Sequence, residues 1–291
     1  TKSWGEIMNY DFITINDDIY PECLKEISDP PEKLYYKGNL ELLKSERMIA
    51  VVGTRNPSSY GKLCCEYMIK KMSKADITIV SGFAKGIDSI AHKTSLITGT
   101  KTIAVIASGL DIVYPASNLS LYREIEEKGL ILTEYEPGTK PFKGNFPQRN
   151  RIIAGLSKGV IVVESKDRGG SLITADLALE YNRDVYAVPG DIFSEYSKGC
   201  NNLIRDAKAK SLSHIKELLE DYNWENKEEN KSLKFTKNQD LILNSLSTEK
   251  SFDQILEETK IAQTEILSEL INLEIMGLIK SIAGGRYKKI L

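Results

Sequence analysis

From Pro137 to Val163 the chain runs for 27 residues without an acidic side chain, while Lys140, Lys143, Arg149, Arg151 and Lys158 are interleaved with Phe142 and Phe146. Cationic side chains attract a phosphate backbone whatever its sequence, and aromatic rings offer unpaired bases a face on which to stack, worth about 1–3 kcal/mol each. That combination suits single-stranded nucleic acid. The 291-residue chain carries a net charge of −2, so an acidic excess elsewhere offsets this stretch and the charge is locally placed. In isolation, a solvated loop pinned to the core by its phenylalanines would look the same. The neighbouring segments weigh against that reading.

Four glycine-bearing segments follow apolar runs: Gly53-Thr54-Arg55, Gly82-Phe83-Ala84-Lys85-Gly86, Ser108-Gly109-Leu110-Asp111 and Arg168-Gly169-Gly170-Ser171. In an open parallel sheet such strand-end loops are where backbone N–H groups and helix starts face a ligand. One phosphate needs one cradle, so four cradles beside a basic, ring-bearing segment point to several phosphates in a row. Each loop alone could equally be a tight strand-to-helix turn. None matches GxGxxG or a Walker loop ending in GK[ST], so a dinucleotide or ATP is not indicated and no cofactor is expected. Arg55, directly after a strand-end glycine, is suited to clamp phosphate bidentately; a structural ion pair would use it as well. Of Arg149 and Arg151, which flank Asn150, one is expected to face the ligand and the other to lock the loop. His92 reads as a core histidine, and Asp88 and Asp111 as caps or turn formers. No nucleophile, base and orienting group fall into a defensible set, so no catalytic residue is assigned.

The frame for these residues is visible as short apolar runs, at Met48–Val52, Ile77–Val80, Ile103–Ile106, Leu130–Leu132, Val160–Val163 and Val185–Val188. They alternate with helical spacing over Lys62–Lys74, Ile87–Ile97, Leu119–Lys128 and Leu172–Tyr181. That rhythm predicts a parallel sheet covered on both faces, a doubly wound, Rossmann-like α/β domain over residues 46–220. Residues 1–45, with Pro21, Pro30 and Pro31, read as an irregular lead-in or cap. Residues 221–234 are polar and charged and read as a linker. Residues 235–291 hold three helical patterns (Asn238–Leu246, Phe252–Thr259, Gln263–Met276) and then a hairpin signal at Gly284-Gly285, the order of a winged helix. Charges in that tail nearly balance, which argues against a strong duplex binder.

Composition narrows the class further. No apolar run is long enough for a membrane span, and Thr1–Trp4 does not open a signal peptide, so a cytoplasmic protein without membrane contact is expected. Cys23, Cys64, Cys65 and Cys200 lack CxxC spacing and read as reduced thiols. With only His92 and His214 available, no metal site is expected.

The segments VVGTRNPSSYG (51–61), VSGFAKGIDSIAH (80–92), SGLDIVYPASN (108–118), FPQRNRIIAGLS (146–157), GGSLITADLALEYNRDVYAVPG (169–190) and GCNNLIRDA (199–207) resemble, in order and spacing, the DNA-processing protein A (DprA, or Smf) family. The resemblance implies an extended Rossmann fold and a non-enzymatic, dimeric protein that binds single-stranded DNA. It also implies a role in natural transformation, protecting incoming strands and helping to load the recombinase RecA. By the same resemblance, Arg55, Lys143 and Phe146 grip the strand. Gly53, Gly82, Gly109, Gly170 and Ser171 line its path, and Thr54, Phe83 and Ser108 in the same loops are expected to contact the strand as well. Arg149 and Asn150 lie in the family's most recognisable motif. The rival is an enzyme similar to the phosphoribohydrolases, whose PGGxGTxxE motif carries a catalytic glutamate; Arg168–Ala175 offers no acid at that place.

Overall fold

The computed structural model describes residues 10–224, 235–275, 277–282 and 284–290, and the chain divides into two compact units, 1–227 and 228–291. In the first, chain order gives β1 (Phe12–Thr14), α1 (Glu22–Lys25), β2 (Lys33–Gly38), β3 (Met48–Val52), α2 (Ser59–Met72), β4 (Thr78–Ser81), α3 (Ile87–Thr98) and β5 (Thr102–Val105). There follow α4 (Leu119–Lys128), β6 (Leu130–Thr133), α5 (Asn145–Leu156), β7 (Gly159–Val162), α6 (Gly170–Glu180), β8 (Asp184–Ala187), α7 (Lys198–Arg205), β9 (Lys210–Ser211) and α8 (Ile215–Asp221).

The strands form one sheet in the order β1-β2-β6-β5-β4-β3-β7-β8-β9, parallel from β6 to β9 and antiparallel at β1 and β2. Every residue of β3 through β7 is buried, because helices cover both faces and leave no side of a strand in water. Alternate side chains feed two cores: Ala50, Val52 and Val162 pack on one face with α5 and α6, and Ile49, Val51 and Ile161 on the other with α2. From β3 the chain winds outward to β6, then returns to β7 on β3's other side. The loops after β3 and β7 therefore diverge, and a crevice opens between them at the carboxyl edge.

Three expectations need correcting. The lead-in is not irregular: β1 and β2 form a hairpin whose second strand pairs with β6, from Tyr35 opposite Thr133 to Gly38 opposite Leu130. Its prolines sit outside both strands, where they leave the hydrogen-bond ladder intact. Residues 221–224 do not behave as free linker. The Tyr222 hydroxyl donates to the Lys158 carbonyl (3.1 Å) and to Asp184 Oδ2 (2.9 Å), and the Tyr222 and Trp224 rings stack at 4.6 Å. The rest of that segment, 225–234, and residues 1–9 of the lead-in lie outside the described residues. Finally, the basic stretch is helical from Asn145, earlier than its loop-like composition suggests, since Pro147 sits in the first turn where its missing N–H breaks no helical bond.

Arg151 fixes that helix. Its guanidinium forks onto Glu134 just beyond β6, Nη1 to Oε1 at 3.0 Å and Nη2 to Oε2 at 2.7 Å, while Nε donates to Asp29 of the lead-in at 3.0 Å. The four cysteines are free thiols.

The second unit runs α9 (Lys237–Ser245), β10 (Lys250–Ser251), α10 (Phe252–Thr259), α11 (Gln263–Ile275), β11 (Ile279–Ile282) and β12 (Arg286–Lys289), with the strands ordered β10-β12-β11. Thr236 with Gln239 and Ser251 with Gln254 form capping boxes that start α9 and α10. Ile242, Ile255, Ile266, Leu270 and Leu273 fill a separate small core. Gly284 and Gly285 both take positive φ (85° and 64°), which the tight β11–β12 turn requires.

Because the Arg151 side chain is only 8% exposed and serves two acids, Arg151→Ala should leave the partly buried Glu134 carboxylate unpaired and cost about 2 kcal/mol of stability. Chemical denaturation monitored by circular dichroism would show it as a lower midpoint with an unchanged slope.

A cationic groove at the switch point

The crevice between the β3 and β7 loops is a cavity of about 310 Å³ lined by Gly53, Thr54, Arg55, Asp88, Phe146, Arg149, Asn150, Ile153, Lys166, Arg168, Gly170 and Ser171, among others. A second hollow of about 130 Å³ continues past Arg55 and Phe146 and is lined by Gly82, Lys85, Ser108, Tyr114, Pro115 and Pro141. Phe146, Arg149, Asn150 and Ile153 sit at positions i, i+3, i+4 and i+7, so one face of α5 forms a wall common to the groove. At the junction the Arg55 guanidinium lies 5.1 Å from the Phe146 ring centroid, and Tyr114 meets the same ring at 5.8 Å. Exposed charge and stacking surface thus converge at one point. Arg55, Lys85, Arg149, Lys166 and Arg168 line the two hollows against one acid, Asp88. The field favours an anion.

Arg149 holds this geometry from beneath. It is 4% exposed, and its Nη1 donates to the Gly82 carbonyl at 2.5 Å and to that of Val105, with Nε donating to Asn150 Oδ1 at 3.2 Å. One guanidinium thereby ties α5 to the ends of β4 and β5. Of the two arginines expected to divide contact and locking, both are buried and both lock, although Arg149 also borders the two hollows. A Cβ at Gly82 would come within 2.7 Å of Asp88 Oδ2 and 3.0 Å of Arg149 Nη2, so glycine keeps room for this opposed pair. Burial pushes the Asp88 carboxyl up to about 6, against the pull of Arg149 and of the Ala84 and Gly82 amides. Burial also lowers Arg149 to about 10, against the attraction of Asp88. Behind them His92 is fully buried and held down to about 3 by desolvation and by Arg149. His92 Nδ1 shares a hydrogen bond of 2.7 Å with the Thr102 hydroxyl, which also lies 3.2 Å from the Ile79 carbonyl.

The remaining predicted residues divide. Gly170 and Ser171 open α6, and their backbone N–H groups have no acceptor among the described residues; the Ser171 hydroxyl donates to Ser165 at 3.0 Å. Gly53 and Thr54 line the larger hollow. Lys143 is exposed on the turn before α5 and borders neither hollow. Phe83 is misplaced as a contact: a left-handed backbone (φ 60°) turns its ring inward to 1% exposure against Tyr122 and His92. Gly109 is not a free cradle either, because its N–H donates to the Thr139 carbonyl at 2.9 Å and a Cβ there would meet the Glu136 carbonyl at 2.6 Å. With Asp111, which accepts from the Gly138 N–H at 2.8 Å, it clips down the loop leading to Lys143. Ser108 borders the smaller hollow while its hydroxyl donates to Ile112. Sequence reasoning passed over Lys85, Tyr114, Lys166 and Arg168 as site residues, though each sits in or beside a strand-end loop. Lys166 also lies 4.9 Å over the Tyr196 ring. Among the described residues no helix is long and apolar enough to cross a membrane, and no His, Cys, Asp or Glu cluster could hold a metal.

Fold and groove together define a Rossmann-like α/β protein with a cationic, ring-bearing groove at its topological switch point. The chain belongs to the DNA recombination-mediator protein A family, whose model matches residues 11–223. It is 47% identical over 219 residues to the DNA processing protein DprA of Streptococcus pneumoniae, covering 75% of this chain and 77% of that one. To protein Smf of Escherichia coli it is 34% identical over 294 residues, covering 97% and 78%. Among solved structures it is similar to S. pneumoniae DprA (TM-score 0.71, 47% identity, 76% of each chain). It is similar also to DNA processing protein A of Helicobacter pylori (TM-score 0.68, 32% identity, 75% of this chain and 99% of that one), a structure described for its single-stranded DNA binding mode.

Asp88 supplies a pH test. A carboxyl raised from its ordinary 3.8 to about 6 contributes stability that is full below pH 3.8 and lost as pH rises through 6. His92, lowered from 6.5 to about 3, works oppositely: its contribution is full above pH 6.5 and lost as pH falls toward 3. Asp88→Asn removes only the first dependence. Between pH 4 and 7 the parent should therefore lose stability relative to Asp88→Asn as pH rises; thermal melts showing a constant difference would refute this.

Proposed function

We propose that this chain binds single-stranded DNA along the groove and acts as a recombination mediator in natural transformation, presenting the strand to RecA. It works as a cytoplasmic homodimer and without catalysis. The observation that carries the reading is the Arg55 guanidinium against the Phe146 ring, with hollows on both sides at the carboxyl edge of the sheet. A phosphate clamp and a stacking platform in contact is what an unpaired strand requires. Backbone N–H groups at the start of α6, together with Lys166 and Arg168, extend the phosphate track, and Lys143 meets the strand outside the hollows. The H. pylori relative supports the choice of ligand. A phosphoribohydrolase-like activity is disfavoured by the absence of an acid from Arg168–Ala175. We read the second unit as a winged helix that modulates binding without dominating it.

Fluorescence anisotropy with oligonucleotides at several salt concentrations tests this. Arg55→Ala should weaken binding and flatten the dependence of log affinity on log salt by about 0.7 for the one lost phosphate contact. Phe146→Ala should cost about 1–3 kcal/mol and leave that slope unchanged; equal slope changes in both variants would overturn the stacking role. Residues 1–227 alone should retain most of the affinity, whereas its loss on removing 228–291 would move the site to the second unit.

A further inference from the structure

At the opposite pole of the sheet, where β3, β7 and β8 begin, lies a cavity of about 490 Å³ that shares no lining residue with the groove. It exceeds either groove hollow and falls in the range of roughly 300–1,000 Å³ typical of small-molecule sites. Three cations line it: Arg47, Lys158 and Arg183. Lys158 is exposed and forms no ion pair among the described residues. Arg47 spends one arm on the Ala75 carbonyl (2.9 Å) and lies 5.7 Å over the Trp224 ring. Arg183 donates through Nη2 to the Cys23 carbonyl (3.0 Å) and to Glu26 (3.2 Å), but its buried Nε–H has no acceptor among the described residues. A buried donor without a partner is costly, and an acceptor arriving from outside would satisfy it. Two acids also line the cavity, Glu22 and Glu46, and Glu22 is held by Lys25 at 2.6 Å. The balance is positive. Trp224, Pro21, Leu43 and Leu156 supply apolar wall.

Tyr222 and Arg47 already cover the Trp224 ring, so the wall offers apolar surface and the indole edge beside positive charge, which suits an anion with a flat apolar body. We propose that this cavity is a second ligand site that takes a free mononucleotide, its phosphate against Lys158 and Arg183 and its base against the wall that holds Trp224.

The test uses the full chain carrying Trp4→Phe, which leaves Trp224 as the sole tryptophan of the two. Adenosine monophosphate should quench Trp224 fluorescence saturably, while adenosine and inorganic phosphate each bind at least about tenfold more weakly, since each forfeits one half of the contact. Lys158→Ala, at an exposed position, should weaken the nucleotide about tenfold without moving the thermal midpoint or the oligonucleotide affinity. Arg55→Ala should leave the nucleotide curve unchanged. The proposal is overturned by an absence of saturable quenching, by an unaltered curve in Lys158→Ala, or by loss of the response in Arg55→Ala, which would place the nucleotide in the groove. Phosphate binding as tightly as the nucleotide would overturn it as well, since the base would then add nothing.

Discussion

The Arg149 guanidinium, buried against the carbonyls of Gly82 and Val105, is the interaction on which the groove depends. Gly82 lies just past β4 and Val105 is the last residue of β5, and both carbonyls take donors from Arg149. By supplying them, one side chain of α5 sets the height and rotation of that helix over the sheet. Phe146 and Asn150, on the same face, take their positions from it. Asp88 lies close enough to offset the buried charge, and the bare Cα of Gly82 makes the approach possible. The rim of the groove is thus held in place by a buried electrostatic arrangement beneath it.

The central strands were legible because each carries an unbroken apolar run with at most a Thr or Ser at its ends, the pattern left when both faces of a sheet are covered. Met48–Val52 matches the observed strand to the residue. The hairpin of the lead-in was not, since Lys33–Gly38 mixes charge with tyrosines and lies beside two prolines; its strand character comes from pairing with β6. The start of α5 was hidden for a related reason. Its two arginines are buried and its first turn carries Pro147, so the usual division into an apolar and a charged face is missing and its period reads as a ligand loop.

At the site, residue type was informative and residue depth was not. Arg55 and Phe146 were identified from charge and ring character, and the fold brings them into contact. Phe83 and Arg149 have the same types and also flank glycines or polar residues, yet both are buried. Whether a phenylalanine after a glycine faces water turns on a single backbone angle, which no local pattern of residue types encodes. The glycines show the same ambiguity: Gly170 stands open at a helix start, while Gly109 is consumed by the loop it supports.

The sheet ends on both sides in stubs: three residues in β1 and two in β9. Unpaired strand borders invite zippering between molecules, most of all when many copies crowd together. Borders this short offer only a few hydrogen-bonding positions to a neighbour, too few to nucleate a shared sheet. At high local concentration, copies therefore meet at these borders without zippering into a shared sheet.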